Sequence, residues 1–217
     1  MKKSYFFSFA IILFSFLAAI YFYPFMPQRM VSHWNYLGEA DGYSGRAFGL
    51  FFTPILLLIM IQLFIFLPQV DPLKYNIKKF EKYFSWFIVS LVAFLTYLQI
   101  LVIAWNLGLH FNFVIFILPG MAALFYGAGI LMEKSKRNYF IGFRTPWALH
   151  DDAIWEKTNK MGGRLFKTAA LIGILGLWFQ TYAFLLLIGP IMAFSIFVFV
   201  WSWKEWKRSG RSVRAGK

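Results

Sequence analysis

Long apolar stretches alternate with short polar segments along the whole chain. A helix needs about 20 consecutive apolar residues to cross a bilayer. Six stretches approach or reach this length, and they predict spans at Ser4–Tyr23, Phe48–Gln69, Phe84–Trp105, Phe113–Met132, Leu165–Thr181 and Leu185–Trp203. The middles of these stretches carry no Asp, Glu, Lys, Arg or His. The pattern therefore predicts an all-α polytopic membrane protein with six transmembrane helices.

Basic residues are distributed unevenly among the polar segments. Of the 22 Lys and Arg residues, all except Arg29 and Arg46 fall on alternate segments, namely Met1–Lys3, Val70–Tyr83, Glu133–Lys167 and Lys204–Lys217. Cytoplasmic loops of membrane proteins carry an excess of Lys and Arg. The asymmetry therefore predicts that both termini are cytoplasmic and that three hairpins open outward. The first span is expected to remain uncleaved, because Tyr21–Pro27 offers no small-residue cleavage site.

The composition fits a membrane location and limits the chemistry. The chain is 60% hydrophobic and only 14% charged, which is too apolar for one water-soluble core of this size. Its net charge of +13 needs no nucleic acid as a partner. Basic loops facing the anionic inner leaflet gain about 1 kcal/mol per residue, so membrane lipid is the expected partner. The absence of Cys excludes disulfides and thiolate metal sites.

The spans contain few features typical of a transporter. Ionisable groups at depth, which ion-coupled transporters use, are absent. Pro54, Pro119 and Pro190 are interpreted as kinks whose freed carbonyls are satisfied by neighbouring helices. Small residues at helical spacing predict close helix packing at two pairs, Ala123 with Gly127 and Ala169 with Gly173.

The outward segment after the first span is rich in turn formers and aromatic residues. Gly38 permits a left-handed turn, and Asp41-Gly42 predicts a tight turn that positions His33 and Trp34. His33 and a second outward histidine, His110, offer imidazoles, and Glu39 and Asp41 offer carboxylates. Their spacing matches no standard zinc signature, so no metal is expected. A hydrogen-bonded histidine beside a membrane-anchoring tryptophan is favoured.

Two cytoplasmic segments have a pattern of their own. Apolar residues recur with a helical period between lysines at Leu73, Ile77, Phe80 and Phe84, which predicts an amphipathic helix in the headgroup region. In the loop Asn138–Gly163, Thr145 and Pro146 predict a helix start, and Asp151 and Asp152 predict the cap of a second helix that ends at Gly162 and Gly163. The loop has no nucleophile–base pair and no phosphate-binding Gly motif, so no catalytic residue is expected.

Two motif sets resemble known families. The stretch Lys136–Trp147, followed by Trp155, Thr158, Asn159 and Gly162, closely resembles the signature of the SdpI family, which is named after an immunity protein against the sporulation-delaying toxin of Bacillus. Tyr23-Pro24, Pro27, His33-Trp34, Gly38, Asp41-Gly42 and Pro54 resemble an uncharacterised membrane module often fused ahead of it. The implied organisation is an N-terminal membrane module at 1–70, a linker helix and third span at 71–112, and an SdpI-like module at 113–217.

The resemblance implies a function. It indicates a multi-pass protein of the bacterial plasma membrane, without cofactor or enzymatic activity, that protects its cell from a secreted membrane-active peptide toxin. Family resemblance also implies a second partner, a small cytoplasmic winged-helix autorepressor held at the membrane. A small-solute transporter or efflux protein, and a membrane-bound sensor, remain as alternatives.

The resemblance also supplies candidate site residues. The family motif corresponds to Asn138, Gly142, Arg144, Thr145, Pro146, Trp147, Trp155, Thr158, Asn159 and Gly162. Among these, Arg144, Trp147 and Asn159 are the expected partner contacts, because a helix boundary requires none of them. The outward motif corresponds to His33, Trp34, Gly38, Asp41 and Gly42.

Overall fold

Helices make up almost all of the fold. The computed structural model describes residues 2–210. The elements follow one another as α1 (Lys2–Phe22), β1 (Arg29–Trp34), β2 (Ala40–Gly45), α2 (Arg46–Val70), α3 (Lys74–Lys79), α4 (Glu81–Asn106), α5 (Phe113–Lys134), α6 (Pro146–His150), α7 (Asp152–Ile174) and α8 (Ala183–Arg208). Short 3₁₀ turns lie at Tyr23–Phe25, Leu175–Leu177 and Gln180–Tyr182. The β1–β2 hairpin was not expected from the sequence.

Five helical stretches of the described residues are long and apolar enough to cross a membrane. They are Lys3–Phe25, Arg46–Val70, Glu81–Asn106, Phe113–Lys134 and Gln180–Arg208. Large apolar side chains on their outer faces are exposed, for example Phe6 (70%), Leu17 (55%) and Ile196 (64%). Exposed apolar surface of this extent suits contact with lipid tails and not with water. The all-α polytopic membrane fold predicted from the sequence is confirmed.

The predicted span Leu165–Thr181 has different bounds in the structure. Helix α7 begins at Asp152, carries charged residues through its first half, and ends at Ile174 before a 3₁₀ turn. It passes through Gly162 and Gly163, where the sequence predicted a helix end. Both glycines lie against neighbouring atoms, Gly162 against the Phe143 ring and Gly163 against the Gly129 carbonyl of α5. They serve close packing and not termination, and a total of six spans stays a prediction.

Two packed groups of helices share the centre of the bundle. Helices α1, α2 and α4 form one core around Ile12, Leu57 and Ile88. Residues Ile77 and Phe80 join the same core, so the apolar face of the short helix α3 is buried in protein. In the second group α7 lies antiparallel to α5 and to α8. Leu118, Ala170, Ala183 and Leu187 form its core.

Polar contacts bring four helix ends together at one end of the bundle. The Lys134 ammonium of α5 lies 5.7 Å from the ring of Tyr83, near the start of α4. The Lys157 ammonium near the start of α7 lies 2.8 Å from the Glu205 carboxylate, near the end of α8. This end carries the basic segments, so it is the end that the charge distribution predicts to be cytoplasmic.

A buried amide compensates for a proline inside the membrane. Pro54 in α2 has no N–H to donate to the carbonyl of Leu50, four residues earlier. The Gln99 Nε2 of α4 donates to that carbonyl at 3.2 Å and to the Ser15 carbonyl of α1 at 3.1 Å. The interpretation of Pro54 as a kink satisfied by a neighbouring helix is confirmed for this residue.

Reporter fusions test the predicted orientation. A fusion after Tyr43 is expected to report an outer location, and fusions after Lys79 and Asp152 a cytoplasmic one, because basic loops stay in the cytoplasm. A corresponding fusion after Ser212 lies outside the described residues. Alkaline phosphatase and green fluorescent protein activities give the two readouts. An outer location after Asp152 would contradict the orientation, because eight of the 22 Lys and Arg residues lie in the surrounding segment Glu133–Lys167.

Candidate functional site

Polar side chains concentrate at the two ends of the bundle. One end carries the hairpin, defined as β1, β2 and the connecting residues 35–39. The other end carries the motif cap, defined as residues 135–163, which includes α6 and the first half of α7. The two sets of residues singled out from the sequence therefore lie at opposite ends of the fold.

The turn of the hairpin differs from the predicted one. It lies at residues 35–39, where the Asn35 side-chain oxygen accepts from the backbone N–H groups of Leu37 (2.9 Å) and Glu39 (3.1 Å). Gly38 takes the left-handed conformation with φ +84°. Asp41 and Gly42, predicted to form the turn, lie within β2 instead. The Asn35 side chain sets the turn earlier because it bonds the backbone two and four residues ahead.

His33 and Asp41 face each other across the hairpin. The His33 Nδ1 lies 2.5 Å from the Asp41 carboxylate, and both side chains are largely exposed. A Cβ added to Gly42 would lie 2.7 Å from the His33 Cβ, so this glycine makes room for the imidazole. His110 packs edge-on against Trp105 instead, 4.5 Å between ring centroids. Within residues 2–210, no three His, Asp or Glu side chains come together as a metal site requires.

Aromatic and amide side chains fix the hairpin to the helices. The Trp34 ring stacks on Phe113 at the start of α5, 3.8 Å between centroids and 6° between planes. The Asn106 side chain bonds both the N–H (2.8 Å) and the carbonyl (2.9 Å) of Val31, as a neighbouring strand would. The Asn112 Nδ2 donates to the Leu37 carbonyl at 3.0 Å. Sequence reasoning missed both asparagines, which stand among apolar residues near helix ends.

Two neighbouring cavities lie along the seam between α4 and α5, the first of them under the hairpin. A cavity of about 270 Å³ lies under the hairpin and is lined by residues that include Ser32, His33, Trp34, Leu98 and Ile117. A second cavity of about 280 Å³ continues along the same two helices, lined by residues that include Ser90, Phe94, Tyr97, Gly120 and Leu124. We call these two cavities the seam groove. Its floor is apolar, and its upper rim carries the imidazole and hydroxyl groups of the hairpin.

Asn138 organises the first turn of the motif cap. Its side chain is fully buried, and its oxygen accepts from the N–H groups of Phe140 (2.9 Å) and Ile141 (2.7 Å). Its Nδ2 donates to the carbonyls of Lys136 (2.8 Å) and Ile141 (3.0 Å). Every hydrogen-bonding position of the amide is thus used within the loop, so Asn138 is a structural residue of the cap.

Asn159, on α7, also bonds the backbone of the motif cap through its side-chain amide. Its oxygen accepts from the Phe143 N–H at 2.8 Å, and its Nδ2 donates to the carbonyls of Phe143 (3.3 Å) and Trp155 (3.2 Å). Gly142, with φ +105°, passes directly over it, and a Cβ there would collide with the Asn159 oxygen. Asn159 was expected to contact a partner, but its side chain is 1% exposed and occupied internally.

Three hydroxyl groups join the cap to α8. The Thr145 side chain caps α6 by accepting from the Ala148 N–H at 3.3 Å, and it lies 2.9 Å from the Ser202 hydroxyl. The Thr158 hydroxyl donates to the same Ser202 at 3.0 Å. Thr145 and Pro146 begin α6 as predicted, and Asp151 caps α7. Ser202 was missed because it stands in an apolar span with no local pattern.

A buried carboxylate holds the cap against α3. Asp71 is 2% exposed, and its two oxygens accept from the N–H groups of Leu73 (2.6 Å) and Tyr139 (2.9 Å). The Asn76 Nδ2 donates to the Arg137 carbonyl at 2.9 Å. The Arg137 guanidinium lies 2.8 Å from the Asp152 carboxylate. Asp71 was also missed, although a lone acidic residue between an apolar span and a basic stretch is a signal that the sequence offers.

Few motif residues remain accessible on the cap. Trp155 is 1% exposed, and its Nε1 donates to the Ser135 carbonyl at 3.3 Å. Trp147 is half-buried against Phe199, 5.3 Å between ring centroids. Arg144 is exposed, with one guanidinium nitrogen donating to the Tyr139 carbonyl at 2.8 Å. The motif therefore mainly builds the cap, and it presents Arg144, Pro146 and one face of Trp147.

Comparisons with known proteins agree with both motif sets. The model of the SdpI/YfhL protein family matches residues 134–202, and that of a domain of unknown function, DUF1648, matches residues 10–58. The chain is 26% identical over 192 residues to the immunity protein SdpI of Bacillus subtilis (strain 168), covering 87% of this chain and 88% of that protein. No solved structure matches. The matched segments include the motif cap and the hairpin, so the chain resembles the SdpI/YfhL protein family over residues 134–202 and DUF1648 over residues 10–58.

Proposed function

We propose that this protein is an immunity protein that protects its cell from a secreted, membrane-active peptide toxin. The observation that carries the proposal is the likeness to a protein named as an immunity protein, which extends over 87% of the chain and includes both ends of the fold. The multi-pass helical architecture supports it, because a peptide that attacks the membrane is met within the membrane. No catalytic chemistry is needed for such a role.

The hairpin and the seam groove are the proposed contact surface for the toxin. A peptide that arrives from outside meets the hairpin first, and the groove leads from there between α4 and α5. Small residues at Ser90, Ala93 and Ala123 lower the groove walls, so a peptide backbone can approach closely. The rim at Ser32 and His33 supplies polar contacts for the peptide end that stays near water.

Survival of a sensitive strain tests the proposal. A bacterial strain without its own immunity protein would express this chain and then be challenged with the purified sporulation-delaying peptide of Bacillus and with secreted peptides encoded near the gene. Survival that depends on the chain is the expected result. Membrane abundance is measured by immunoblot in parallel. Killing by every peptide at normal abundance would refute the immunity function.

Substitutions in the hairpin test the contact surface. Asp41→Ala removes the carboxylate beside His33, and Gly42→Val fills the space next to the imidazole, so both are expected to lower protection about tenfold or more at unchanged abundance. The readout is the toxin concentration that halves survival. Glu39→Gln is the matched control, because it removes one negative charge from the same hairpin without touching His33, and its amide oxygen can still accept from the Asn35 Nδ2. Equal protection by all variants would show that the hairpin only connects two spans.

A second proposed role is capture of a cytoplasmic regulator by the accessible face of the motif cap. Arg144 favours it, since a planar guanidinium exposed beside a half-buried tryptophan suits a carboxylate on a partner. Arg144→Lys keeps the positive charge but removes the planar guanidinium, which can donate to both oxygens of a carboxylate. It is expected to abolish pull-down of the regulator, with and without toxin, while toxin survival is retained. Loss of both at normal abundance would mean that the two roles share one structure.

A further inference from the structure

A concentration of positive charge lies in a concavity at the end of the bundle that carries the motif cap. Its volume is about 390 Å³, within the range of roughly 300–1,000 Å³ typical of small-ligand sites. Its basic lining residues are Lys134 and Lys136 near the end of α5 and Lys160, Arg164 and Lys167 on α7. We call it the basic concavity. None of the ten candidate motif residues from Asn138 to Gly162 lines it, and the proposed toxin contact lies at the other end of the bundle.

The charges in the basic concavity do not balance. Two acidic residues line it, and each has a basic partner: Glu133 lies 2.9 Å from Lys167, and Glu156 lies 3.7 Å from Lys136. Lys160 and Arg164 have no carboxylate partner among residues 2–210, and Lys134 meets only the ring of Tyr83. Five cations against two anions leave an excess of three positive charges in one recess.

Close helix packing fixes the backbone positions from which these cations extend. Helices α5 and α7 touch at Gly129 and Gly163, where a Cβ on Gly129 would lie only 2.6 Å from the Gly163 carbonyl oxygen. Lys167 is held by Glu133 and by the ring of Tyr126, 6.0 Å from its centroid. Like charges held close together in this way repel one another, so an anion that enters the recess relieves the repulsion.

The position of the concavity indicates the source of the anion. The apolar run of α5 ends at Met132, directly before the first lining residues Glu133 and Lys134. Lys167, which faces Glu133, is followed on α7 by the apolar residues that pack against the span. The recess therefore opens at the depth where a span leaves the hydrocarbon, which is the level of the lipid phosphates.

We propose that the basic concavity binds the phosphate of an anionic phospholipid headgroup. Arg164 supplies a forked donor for two phosphate oxygens, and Lys160 and Lys134 supply single charges from either side. The acyl chains then follow the exposed apolar surface of α5 and α7, where Leu171 is 63% exposed. This site is independent of the toxin and of the regulator.

Thermal unfolding of the purified full chain in neutral detergent tests the site. Dioctanoyl phosphatidylglycerol is expected to raise the Tm, because a ligand of the folded state stabilises it by mass action. The double variant Lys160→Gln with Arg164→Gln keeps the ion pairs of Lys136 and Lys167 intact. It is expected to bind about thirtyfold more weakly, since each basic residue near anionic lipid contributes about a factor of five.

Three controls decide the outcome. The variant Lys74→Gln with Lys78→Gln removes the same charge from exposed lysines of α3, and it is expected to keep the Tm rise. Dioctanoyl phosphatidylcholine and glycerol 3-phosphate are each expected to give a much smaller rise than the anionic lipid. An equal loss of the Tm rise in both double variants would overturn the proposal, because the basic residues would then attract lipid only as a diffuse charged surface. An unchanged Tm rise in the variant Lys160→Gln with Arg164→Gln would overturn it as well. An equal rise with glycerol 3-phosphate would also overturn it, since the site would then bind a soluble phosphate.

Discussion

Gly129→Ala is expected to destabilise the protein clearly, whereas Gly127→Ala, two residues earlier on the same helix, is expected to be harmless. A Cβ at position 129 would lie 2.6 Å from the Gly163 carbonyl oxygen and 2.7 Å from the Lys167 Cγ. The carbonyl belongs to the α7 backbone and cannot rotate away. A Cβ at position 127 would meet only the Phe87 ring, at 3.8 Å, which is ordinary van der Waals contact.

Comparison of these two variants isolates the effect of the contact between α5 and α7 on stability. Both substitutions gain the same helix propensity, up to about 1 kcal/mol, so this gain cancels in the difference. Overpacking at a close contact lowers the free energy of unfolding by about 1–3 kcal/mol. The Gly129 variant should therefore be less stable than the Gly127 variant by about this amount, and it should unfold at a lower temperature. Thermal unfolding in detergent and membrane abundance are the measurements. Equal Tm values for the two variants would show that α5 and α7 are not packed through this glycine.

The same glycines show what the sequence can and cannot predict about packing. Spacing alone indicated Ala123 with Gly127 as a packing face, yet the close backbone contact of α5 with α7 is made by Gly129. Hydropathy finds a span, but it does not show which side of the span faces another helix, since every side is apolar. The pair Ala169 and Gly173 was predicted correctly, because both residues are buried and Gly173 lies against Leu187 of α8.

The hairpin and α7 were mispredicted for physical reasons that can be named. The hairpin depends on Asn106 and Asn112, which stand 75 residues from their partners Val31 and Leu37, so no local pattern indicates them. Helix α7 was divided at Gly162 and Gly163 because two glycines usually end a helix. Tertiary contact with Phe143 and α5 outweighs this local preference. Helix starts set by local side chains, such as Thr145 and Asp151, were predicted correctly.

For the motif residues, too, the sequence predicts some features and not others. Sequence patterns identify Asn138 and Asn159 as unusual, but they do not show whether an amide faces a partner or the protein interior. The structure places both inside, where they bond the backbone of the loop. Arg144 remains the accessible charged residue of the motif. A family signature can therefore mark residues that build a surface although most of them are buried beneath it.

Gly142→Ala is expected to have a still larger effect than Gly129→Ala, because it combines two costs. Gly142 has φ +105°, a conformation that costs about 1–3 kcal/mol for a residue with a Cβ. The new Cβ would also collide with the Asn159 oxygen, which accepts the Phe143 N–H at 2.8 Å. Displacing that oxygen leaves a buried N–H unpaired, which costs about 1–3 kcal/mol more.

Gly108→Ala is the matched control for this substitution. Gly108 has nearly the same backbone conformation, φ +100°, but nothing lies within 4 Å of its missing Cβ. It should therefore suffer the backbone cost alone, and the difference in Tm between the two variants measures the collision with Asn159. If the motif cap is built as the contacts indicate, Gly142→Ala lowers membrane abundance and abolishes the proposed toxin protection and the proposed regulator capture. Equal Tm values, with full protection by Gly142→Ala, would mean that Asn159 does not support the cap, and its place in the family motif would then require a role in contact with a partner.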